Sequence, residues 1–202
     1  TSAQKTLGSQ FEGLLNEVSE ASDGRLSVIF DDALTVDEGQ LAEDIPTAIV
    51  ANLPYNVGTP LLIKWMTQDF QPVSMTLMFQ KEVAERIVAP VNSEPYGRLA
   101  VIAQATCQAR LVMDLPAKAF TPPPKVASAV VHLIPRSDRP SPVLLAALQK
   151  VTAAAFGQRR KMVRSSLKTL GGETLCARAG ISPDARAETI PVEGFLAIAA
   201  AL

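Results

Sequence analysis

The 202-residue sequence contains one histidine, two cysteines and no long hydrophobic run. No apolar stretch reaches the roughly 18 residues that a membrane-spanning helix needs, which argues against a membrane protein. The first residues lead into no apolar signal region, so we expect a cytoplasmic protein and not a secreted one. His132 lies inside an apolar run, residues 130–134, without cysteine or aspartate at ligand spacing. We therefore expect it to be a strand residue, and we expect no metal site.

The two cysteines, Cys107 and Cys176, lie far apart in unlike segments. In a cytosolic protein such a pair is expected to remain as reduced, buried thiols and not to form a disulfide. Hydrophobic residues make up 48% of the sequence, which is enough for a sizeable core. The length suits one domain of usual size with a small appendage.

Charge is unevenly distributed along the chain, although the net charge is only −1. Residues 1–70 contain 11 acidic and 3 basic side chains, whereas residues 71–202 contain 9 acidic and 16 basic ones. Between Arg139 and Gly172 there are seven basic residues and no acidic residue. This asymmetry indicates a polyanionic partner for the C-terminal part of the chain.

Helical and strand patterns alternate over the first two thirds of the chain. Apolar spacings of three and four residues predict helices over residues 14–22, 80–89 and 98–108, and one that begins with Thr59 as N-cap and Pro60 as first residue. Short apolar runs predict strands over residues 26–30, 45–51, 75–79, 110–115 and 127–134. This alternation predicts an α/β fold whose sheet is mostly parallel and covered on both faces.

A second, smaller domain follows a proline-rich segment. Residues 135–142 contain three prolines and a charged stretch, which predicts a hinge. Beyond it the pattern is helical throughout, over residues 143–156, 159–170, 173–179 and 192–202. We therefore predict an α/β domain to about residue 136 and an all-helical domain over residues 137–202.

The tetrapeptide Asn52-Leu53-Pro54-Tyr55 directly follows the strand predicted at residues 45–51. Ligands of open α/β sheets bind just beyond the carboxyl ends of the strands, where Asn52 would lie. Its amide offers an acceptor and a donor, Pro54 stiffens the turn, and Tyr55 supplies an aromatic face. The pattern suits binding of a planar base, but taken alone it is more typical of an ordinary turn.

Two further motifs support the interpretation as a site. They are Phe120-Thr121-Pro122-Pro123-Pro124-Lys125-Val126 and Phe156-Gly157-Gln158-Arg159-Arg160-Lys161. With Asn52-Leu53-Pro54-Tyr55 before them, and with Glu82 and Tyr96-Gly97-Arg98-Leu99 in between, they resemble the ribosomal RNA adenine N6,N6-dimethyltransferase family. The resemblance runs from about residue 14 to the C-terminus. Each motif is weak alone, but three in order are specific.

The resemblance implies a Rossmann-like class I methyltransferase domain over residues 1–136 and a helical rRNA-binding domain over residues 137–202. It implies S-adenosyl-L-methionine as methyl donor, without a metal. The implied reaction dimethylates two adjacent adenosines near the 3′ end of small-subunit (16S) rRNA, during ribosome biogenesis. We accordingly expect a cytoplasmic monomer that acts on small-subunit rRNA or a pre-30S particle.

The family's catalytic residues match Asn52, Leu53, Pro54, Tyr55 and Phe120. In the resemblance, the side-chain carbonyl of Asn52 and the backbone carbonyl of Leu53 each accept a hydrogen of the adenine amine. Tyr55 stacks on the base and Phe120 closes its opposite face. For Phe120 alone, a core residue that props a proline turn is an equally good interpretation.

The resemblance also implies cofactor-binding and RNA-binding residues. For the cofactor these are Gln10, Asp32, Ala33 and Asn52, with Asp32 on the cofactor's adenine amine; taken alone, Asp32 is more typical of a helix cap. The RNA-binding residues are Arg159, Arg160, Lys161, Arg164 and Lys168. Most of them would share one face of the helix predicted at residues 159–170, which alone is also typical of a solvated helix. Five phosphate contacts predict a log–log salt slope of roughly −4.

One part of the family pattern is missing. No Gly-x-Gly-x-Gly sequence occurs here, although such a loop lets the backbone approach the cofactor closely. Lys5-Thr6-Leu7-Gly8-Ser9-Gln10-Phe11 resembles the family's N-terminal segment, yet the residues that should separate it from the helix at residues 14–22 are absent. Either that segment is deleted near residues 11–14, or the sequence joins two stretches that a longer chain separates.

Two alternative functions follow from these features. A macrolide-resistance type methyltransferase of large-subunit rRNA shares much of the pattern, but the triple proline and the Gln158-Arg159-Arg160-Lys161 segment favour the small-subunit family. A non-catalytic ribosome-assembly factor of the same fold is compatible with the missing glycine loop.

Overall fold

A computed structural model describes residues 17, 22–23, 25–29, 31–42 and 45–202. The chain divides into two compact units, Thr1–Val36 and Asp37–Leu202. The segment Lys5-Thr6-Leu7-Gly8-Ser9-Gln10-Phe11 lies outside the described residues, as do residues 11–14. So does most of the helix predicted at residues 14–22, of which only Glu17 and Ser22 are described.

The second unit consists of four strands and eight helices among its described residues. The strands are β1 (Ala48–Asn52), β2 (Ser74–Gln80), β3 (Cys107–Leu115) and β4 (Ser128–Pro135). The helices are α1 (Glu38–Ala42), α2 (Gly58–Thr67), α3 (Lys81–Val88), α4 (Arg98–Thr106), α5 (Pro142–Gly157), α6 (Val163–Ser166), α7 (Gly172–Arg178) and α8 (Val192–Ala200). Short 3-10 turns lie at Ala117–Ala119, Lys168–Leu170 and Ala187–Thr189.

The four strands form one sheet in the order β1-β2-β4-β3. β1 and β2 are parallel, and β4 runs antiparallel to both of its neighbours. Three strands therefore point one way and β4 is inserted in the opposite direction. Helices follow β1 and β2 directly, so the α/β class predicted from the alternation is confirmed.

One face of this sheet packs against helices of the second unit, and cover on the other face stays a prediction. Alternate residues of β2, namely Met75, Leu77 and Phe79, are buried together with apolar residues of α2, α3 and β4. On the other face, Val50 of β1 is 78% exposed. Successive strand side chains point to opposite faces, so the helices of the second unit cover every second residue of a strand.

The predicted strand over residues 26–30 is also wrong for the part that the structure describes. Residues 26–29 have no regular secondary structure, and among them only Val28 is half-buried. A strand exists through its ladder of hydrogen bonds to a neighbour. These residues make no such ladder in the described part of the chain, so their apolar character alone does not produce a strand.

A second core lies among the C-terminal helices. It gathers buried residues of α5, α6, α7 and α8, and α4 joins it to the sheet. Ala100 and Val101 of α4 face the helical core, whereas Ile102 and Ala103 face the sheet core. Within the described residues, no helix is both long enough and apolar enough to cross a membrane.

The segment predicted to be a hinge, residues 135–142, is held by hydrogen bonds to the sheet domain. The Arg139 guanidinium donates to the backbone oxygens of Met66 and Gln68, at 2.7 and 2.9 Å. These carbonyls belong to the C-terminal end of α2, where backbone acceptors lack helical partners. Ser141 then caps α5 by accepting from the Leu144 amide at 3.3 Å. The segment therefore connects the two cores and is attached to both by hydrogen bonds.

The two cysteines, His132 and the start of α2 were also predicted from the sequence. Cys107 and Cys176 are buried, free thiols, as predicted, and burial raises the pKa of each. His132 is a strand residue of β4, as predicted, and its Nδ1 lies 2.9 Å from the Thr76 hydroxyl. The N-cap predicted at Thr59 is wrong, because α2 begins at Gly58 after Val57.

Glu38 attaches α1 to α2 through one carboxylate. One oxygen accepts from Lys64 Nζ at 2.9 Å and from Trp65 Nε1 at 2.6 Å, and the other accepts from Gln68 Nε2 at 3.2 Å. Burial raises the pKa of Glu38, but these hydrogen bonds outweigh it and hold the pKa below the ordinary 4.5.

A carboxyl group with a lowered pKa stabilises the fold above its ordinary pKa, and this contribution disappears as the pH falls. We expect Glu38→Ala to lower the free energy of unfolding at pH 7 by about 1–3 kcal/mol. The deficit should shrink as the pH falls from 4.5 through the lowered folded-state pKa, because the unfolded chain takes up a proton on Glu38 before the folded chain does. Urea unfolding at several pH values measures this. Gln40→Ala, an exposed change on the same helix, is the control; a pH-independent deficit would contradict the charge argument.

Candidate active site

Asn52 is the last residue of β1, and the residues that follow it are held by burial and by hydrogen bonds. The Leu53 side chain is buried in the sheet core, so the Leu53 backbone carbonyl has a defined position. The Pro54 carbonyl accepts from the Val57 amide at 3.1 Å and from the Gly58 amide at 3.0 Å. These bonds wind the chain into α2 two residues earlier than predicted, and they leave Asn52 exposed at the carboxyl end of the strand.

A cavity of about 400 Å³ lies beside this turn. Residues of the two separate motifs line it together with residues of β2 and β4: Asn52, Leu53, Pro54, Tyr55, Met78, Phe120, Thr121, Pro122, Pro124 and Ser128. The structure thus brings together all five residues that the resemblance marks as catalytic, although their roles stay predictions.

Phe120 reaches the cavity from the loop between β3 and β4. It follows the 3-10 turn Ala117–Ala119 and is half-buried, and its amide donates to the Ala117 carbonyl at 3.2 Å. One residue further along, the Thr121-Pro122 peptide bond is cis. Phe120 lines the cavity and is absent from both buried cores, which favours the site interpretation over a purely structural prop.

Two cavity residues were missed by the sequence analysis. Met78 of β2 is the register partner of Asn52, so its side chain lies beside Asn52 on the same face of the sheet. Ser128 begins β4, and its Oγ lies 3.4 Å from the Tyr55 hydroxyl. Strand alternation places Met78 once the pairing of β1 with β2 is known. No signal in the sequence gives that pairing or the Ser128 contact.

Of the four residues that the resemblance assigns to the cofactor, the structure describes three. Gln10 lies outside the described residues. Asp32 and Ala33 are exposed in the first unit, and Asp32 Oδ1 accepts from the Leu34 amide at 2.9 Å. That bond is an Asx turn over a hydrogen-bonded turn at residues 33–35. Asp32 caps no helix there, because the next helix begins only at Glu38, and its second oxygen is left as an acceptor. Asn52 is the one member that lines the cavity.

The predicted basic helix over residues 159–170 is wrong. α5 ends at Gly157, and the next helical turn, α6, begins only at Val163. Between them, Met162 is extended and forms an isolated antiparallel bridge with Arg186. This pairing with a distant segment interrupts the helix, so the five basic residues lie on a turn, a short helix and a 3-10 turn.

All five basic side chains are exposed, but they differ in their partners. Arg164 pairs with Asp184 at 2.6 Å, and Arg159 donates to the Glu94 carbonyl at 2.7 Å. For Arg160, Lys161 and Lys168 the structure gives no ion pair in the described part of the chain. Three of the five therefore remain fully available to a polyanion.

A larger cleft of about 710 Å³ separates α3 from the end of α5. Its walls carry charges of both signs, from Glu82, Glu85, Arg86, Glu94, Arg98 and Arg159. Glu82 forms an ion pair with Arg86 across one helical turn. The Glu82 and Tyr96-Gly97-Arg98-Leu99 positions of the resemblance thus lie at this cleft or just behind it, and not at the smaller cavity.

Comparisons with known proteins agree with this geometry. A family model described as ribosomal RNA adenine dimethylase matches residues 8–202. The ribosomal RNA small subunit methyltransferase A of Phenylobacterium zucineum is 65% identical over 190 residues, which cover 94% of this chain and 66% of that protein. The protein of that name from Caulobacter vibrioides is 65% identical over 193 residues, covering 96% and 74%. The chain spans about two thirds of the length of the curated relatives it matches.

Solved structures share the fold. A dimethyladenosine transferase from Plasmodium falciparum has a TM-score of 0.72 at 24% identity, covering 93% of this chain and 77% of that one. The 23S rRNA methyltransferase ErmE has a TM-score of 0.61 at 22% identity, covering 94% and 78%. The predicted Rossmann-like methyltransferase fold is therefore confirmed.

Proposed function

We propose, since the chain belongs to the ribosomal RNA adenine dimethylase family, that it dimethylates the N6 amine of two adjacent adenosines near the 3′ end of small-subunit rRNA. The observation that carries this proposal is the cavity of about 400 Å³ in which Asn52, Tyr55 and Phe120 meet from two distant motifs. Such a cavity has both the polar and the aromatic walls that an extruded adenine requires.

The chemistry depends on the adenine amine, which is a weak nucleophile because its lone pair is delocalised into the ring. The side-chain oxygen of Asn52 and the backbone oxygen of Leu53 can each accept one of its hydrogens. Accepting both favours a more pyramidal and more nucleophilic nitrogen. Because the buried Leu53 side chain fixes the second acceptor, little reorganisation is needed when the base arrives.

The aromatic walls provide the free energy that holds the base outside its stack. Tyr55 lies on one motif and Phe120 on the other, and both line the cavity. Stacking on an aromatic side chain contributes about 1–3 kcal/mol per contact, which is comparable with the few kcal/mol that extrusion of a base costs. The two rings together therefore offset the cost of base flipping.

S-adenosyl-L-methionine would supply the methyl group, and Gln10, Asp32, Ala33 and Asn52 would hold it. The second side-chain oxygen of Asp32 can accept from the adenine amine of the cofactor. The exposed side-chain amide of Asn52 can donate to the carboxylate group of the cofactor. Positioning of the amine against the methyl donor accounts for much of the rate in such a transfer, so no catalytic histidine or cysteine is needed.

The helical part would bind the small-subunit rRNA, or the ribosomal particle that contains it, as a cytoplasmic monomer. Exposed basic side chains at Arg160, Lys161 and Lys168 support this assignment, since phosphate contacts dominate affinity for nucleic acids. Their spread over a broken segment suits recognition of RNA backbone and shape more than of sequence.

The test combines cofactor binding and methyl transfer, both measured on the 202-residue chain. We expect calorimetric heat on titration with S-adenosyl-L-methionine, and an increase of two methyl groups on each of two adjacent adenosines in mass analysis of small-subunit rRNA. Methylation of large-subunit rRNA alone would instead identify a macrolide-resistance type enzyme.

A non-catalytic assembly factor is the second candidate. The absence of a Gly-x-Gly-x-Gly sequence is compatible with this role. It predicts small-subunit rRNA binding without cofactor heat and without methyl transfer. If neither cofactor heat nor methyl transfer is observed while RNA binding is retained, the protein is an assembly factor and not a methyltransferase.

Salt dependence tests the RNA-binding residues individually. We expect Arg160→Ala and Lys161→Ala each to make the log–log salt slope of rRNA affinity shallower by about 1, because each removes one phosphate contact. Arg164→Ala should change the slope less, because that guanidinium already pairs with Asp184. Filter binding between low and high salt measures the slopes. Equal effects of all three changes would show that the Asp184 pair opens on the RNA.

A further inference from the structure

Ser128 presents a fixed hydroxyl group to the cavity. It is the first residue of β4, and its exposed fraction is 1%. Its backbone lies between two strands, opposite Gln80 of β2 and Leu115 of β3. The next amide bond toward the loop is also anchored, since Lys81 N–H donates to the Ala127 carbonyl at 2.9 Å. The Ser128 backbone is therefore anchored on both sides, and burial limits the room for its side chain.

Tyr55, in contrast, has few constraints on its ring. It lies in the turn after β1 and is 48% exposed. Its hydroxyl lies 3.4 Å from Ser128 Oγ, which is long for a bond between hydroxyl groups, usually about 2.7–2.8 Å. Hydrogen bonds in active sites are often long without ligand and shorten when it binds. This contact links the turn that carries Asn52 to the strand that follows the Phe120 loop.

We propose that Ser128 is a positioning residue that holds the Tyr55 ring in place for stacking on the substrate adenine. The inference rests on the proposed function of the same cavity. A ring that is held before the base arrives does not have to be ordered on binding, so less of the stacking free energy is lost. Ser128 itself need not touch the base, and its effect passes through the Tyr55 hydroxyl.

A double-mutant cycle tests this link. Ser128→Ala and Tyr55→Phe remove the same hydrogen bond, and the second keeps the aromatic ring. We expect each to lower kcat/KM for methyl transfer by about 3- to 10-fold, mainly through a higher KM for RNA. The double variant should be no worse than either single one. Losses that multiply in the double variant would overturn the proposal, and Ser137→Ala, an exposed change in the linker, is the control.

A second measurement does not depend on activity. The chain contains two tyrosines, so incorporation of 3-fluorotyrosine gives two fluorine NMR signals. Tyr96 is fully buried and serves as the internal reference. We expect Ser128→Ala to shift and narrow the Tyr55 signal and to leave the Tyr96 signal unchanged. An unchanged Tyr55 signal would overturn the proposal even in an active enzyme. A Tyr55 response in a protein without methyl transfer would support the link and refute the proposed function.

Discussion

Replacing Asn52 with alanine should lower methyl transfer at least about 100-fold, while affinity for small-subunit rRNA stays close to that of the wild type. The change removes one of two acceptors for the adenine amine, at the end of β1. It removes no phosphate contact, because Asn52 is uncharged and the proposed RNA-binding residues lie in the C-terminal part of the chain. Single-turnover methylation and filter binding measure the two quantities separately.

Two further variants define the cause of the loss. Asn52→Asp keeps acceptor oxygens at the same position, so it should retain more activity than Asn52→Ala. Asn56→Ala changes an exposed asparagine in the following turn, which does not line the cavity, and should behave as the wild type. Wild-type turnover by Asn52→Ala would remove the acceptor mechanism.

Truncation of Tyr96 should have the largest effect on stability. The Tyr96 ring is fully buried and meets Phe156 of α5 edge-on, with 6.1 Å between ring centroids. Its hydroxyl donates to the Ile190 carbonyl at 3.0 Å. Truncation of a large buried aromatic residue to alanine costs about 3–5 kcal/mol. Because whole domains are stable by only about 5–15 kcal/mol, Tyr96→Ala should lose much of the free energy of unfolding, measured with urea.

The other tyrosine provides a matched control, since Tyr55→Ala changes a half-exposed ring and should alter stability by less than about 0.5 kcal/mol. Burial, with a smaller contribution from Glu193, raises the pKa of Tyr96 from 10.0 to about 12. The unfolded phenol ionises first, so the wild type should lose stability as the pH rises from 10 to 12. Tyr96→Phe should lack this alkaline loss. A wild-type urea midpoint for Tyr96→Ala would contradict the packing argument.

The parts of the site that follow from local chemistry could be predicted from sequence. Asn52 at a strand end and Phe120 before a run of prolines are local patterns, and their order along the chain identifies the pair of motifs. The structure places both beside one cavity. Their meeting depends on β4, which returns antiparallel beside β2, and no local pattern gives this direction.

The expectations that failed depend on distant partners. The helix predicted at residues 159–170 has suitable residues throughout, but the bridge between Met162 and Arg186 is formed across a long sequence separation. Residues 26–29 have strand-like composition, yet a strand also needs a neighbour. Ser128 was missed for the same reason, because its relation to Tyr55 joins positions 73 residues apart.

The hydrogen bonds from Arg139 have a consequence for the geometry of RNA recognition. They attach the start of the helical part to the C-terminal end of α2, and α2 begins directly after the Asn52 turn. Because these bonds oppose bending between the two cores, we expect the distance between the basic residues and the adenine cavity to vary little. In the proposed reaction, the protein would then methylate only adenosines that lie at one fixed distance from the RNA backbone bound by the basic residues.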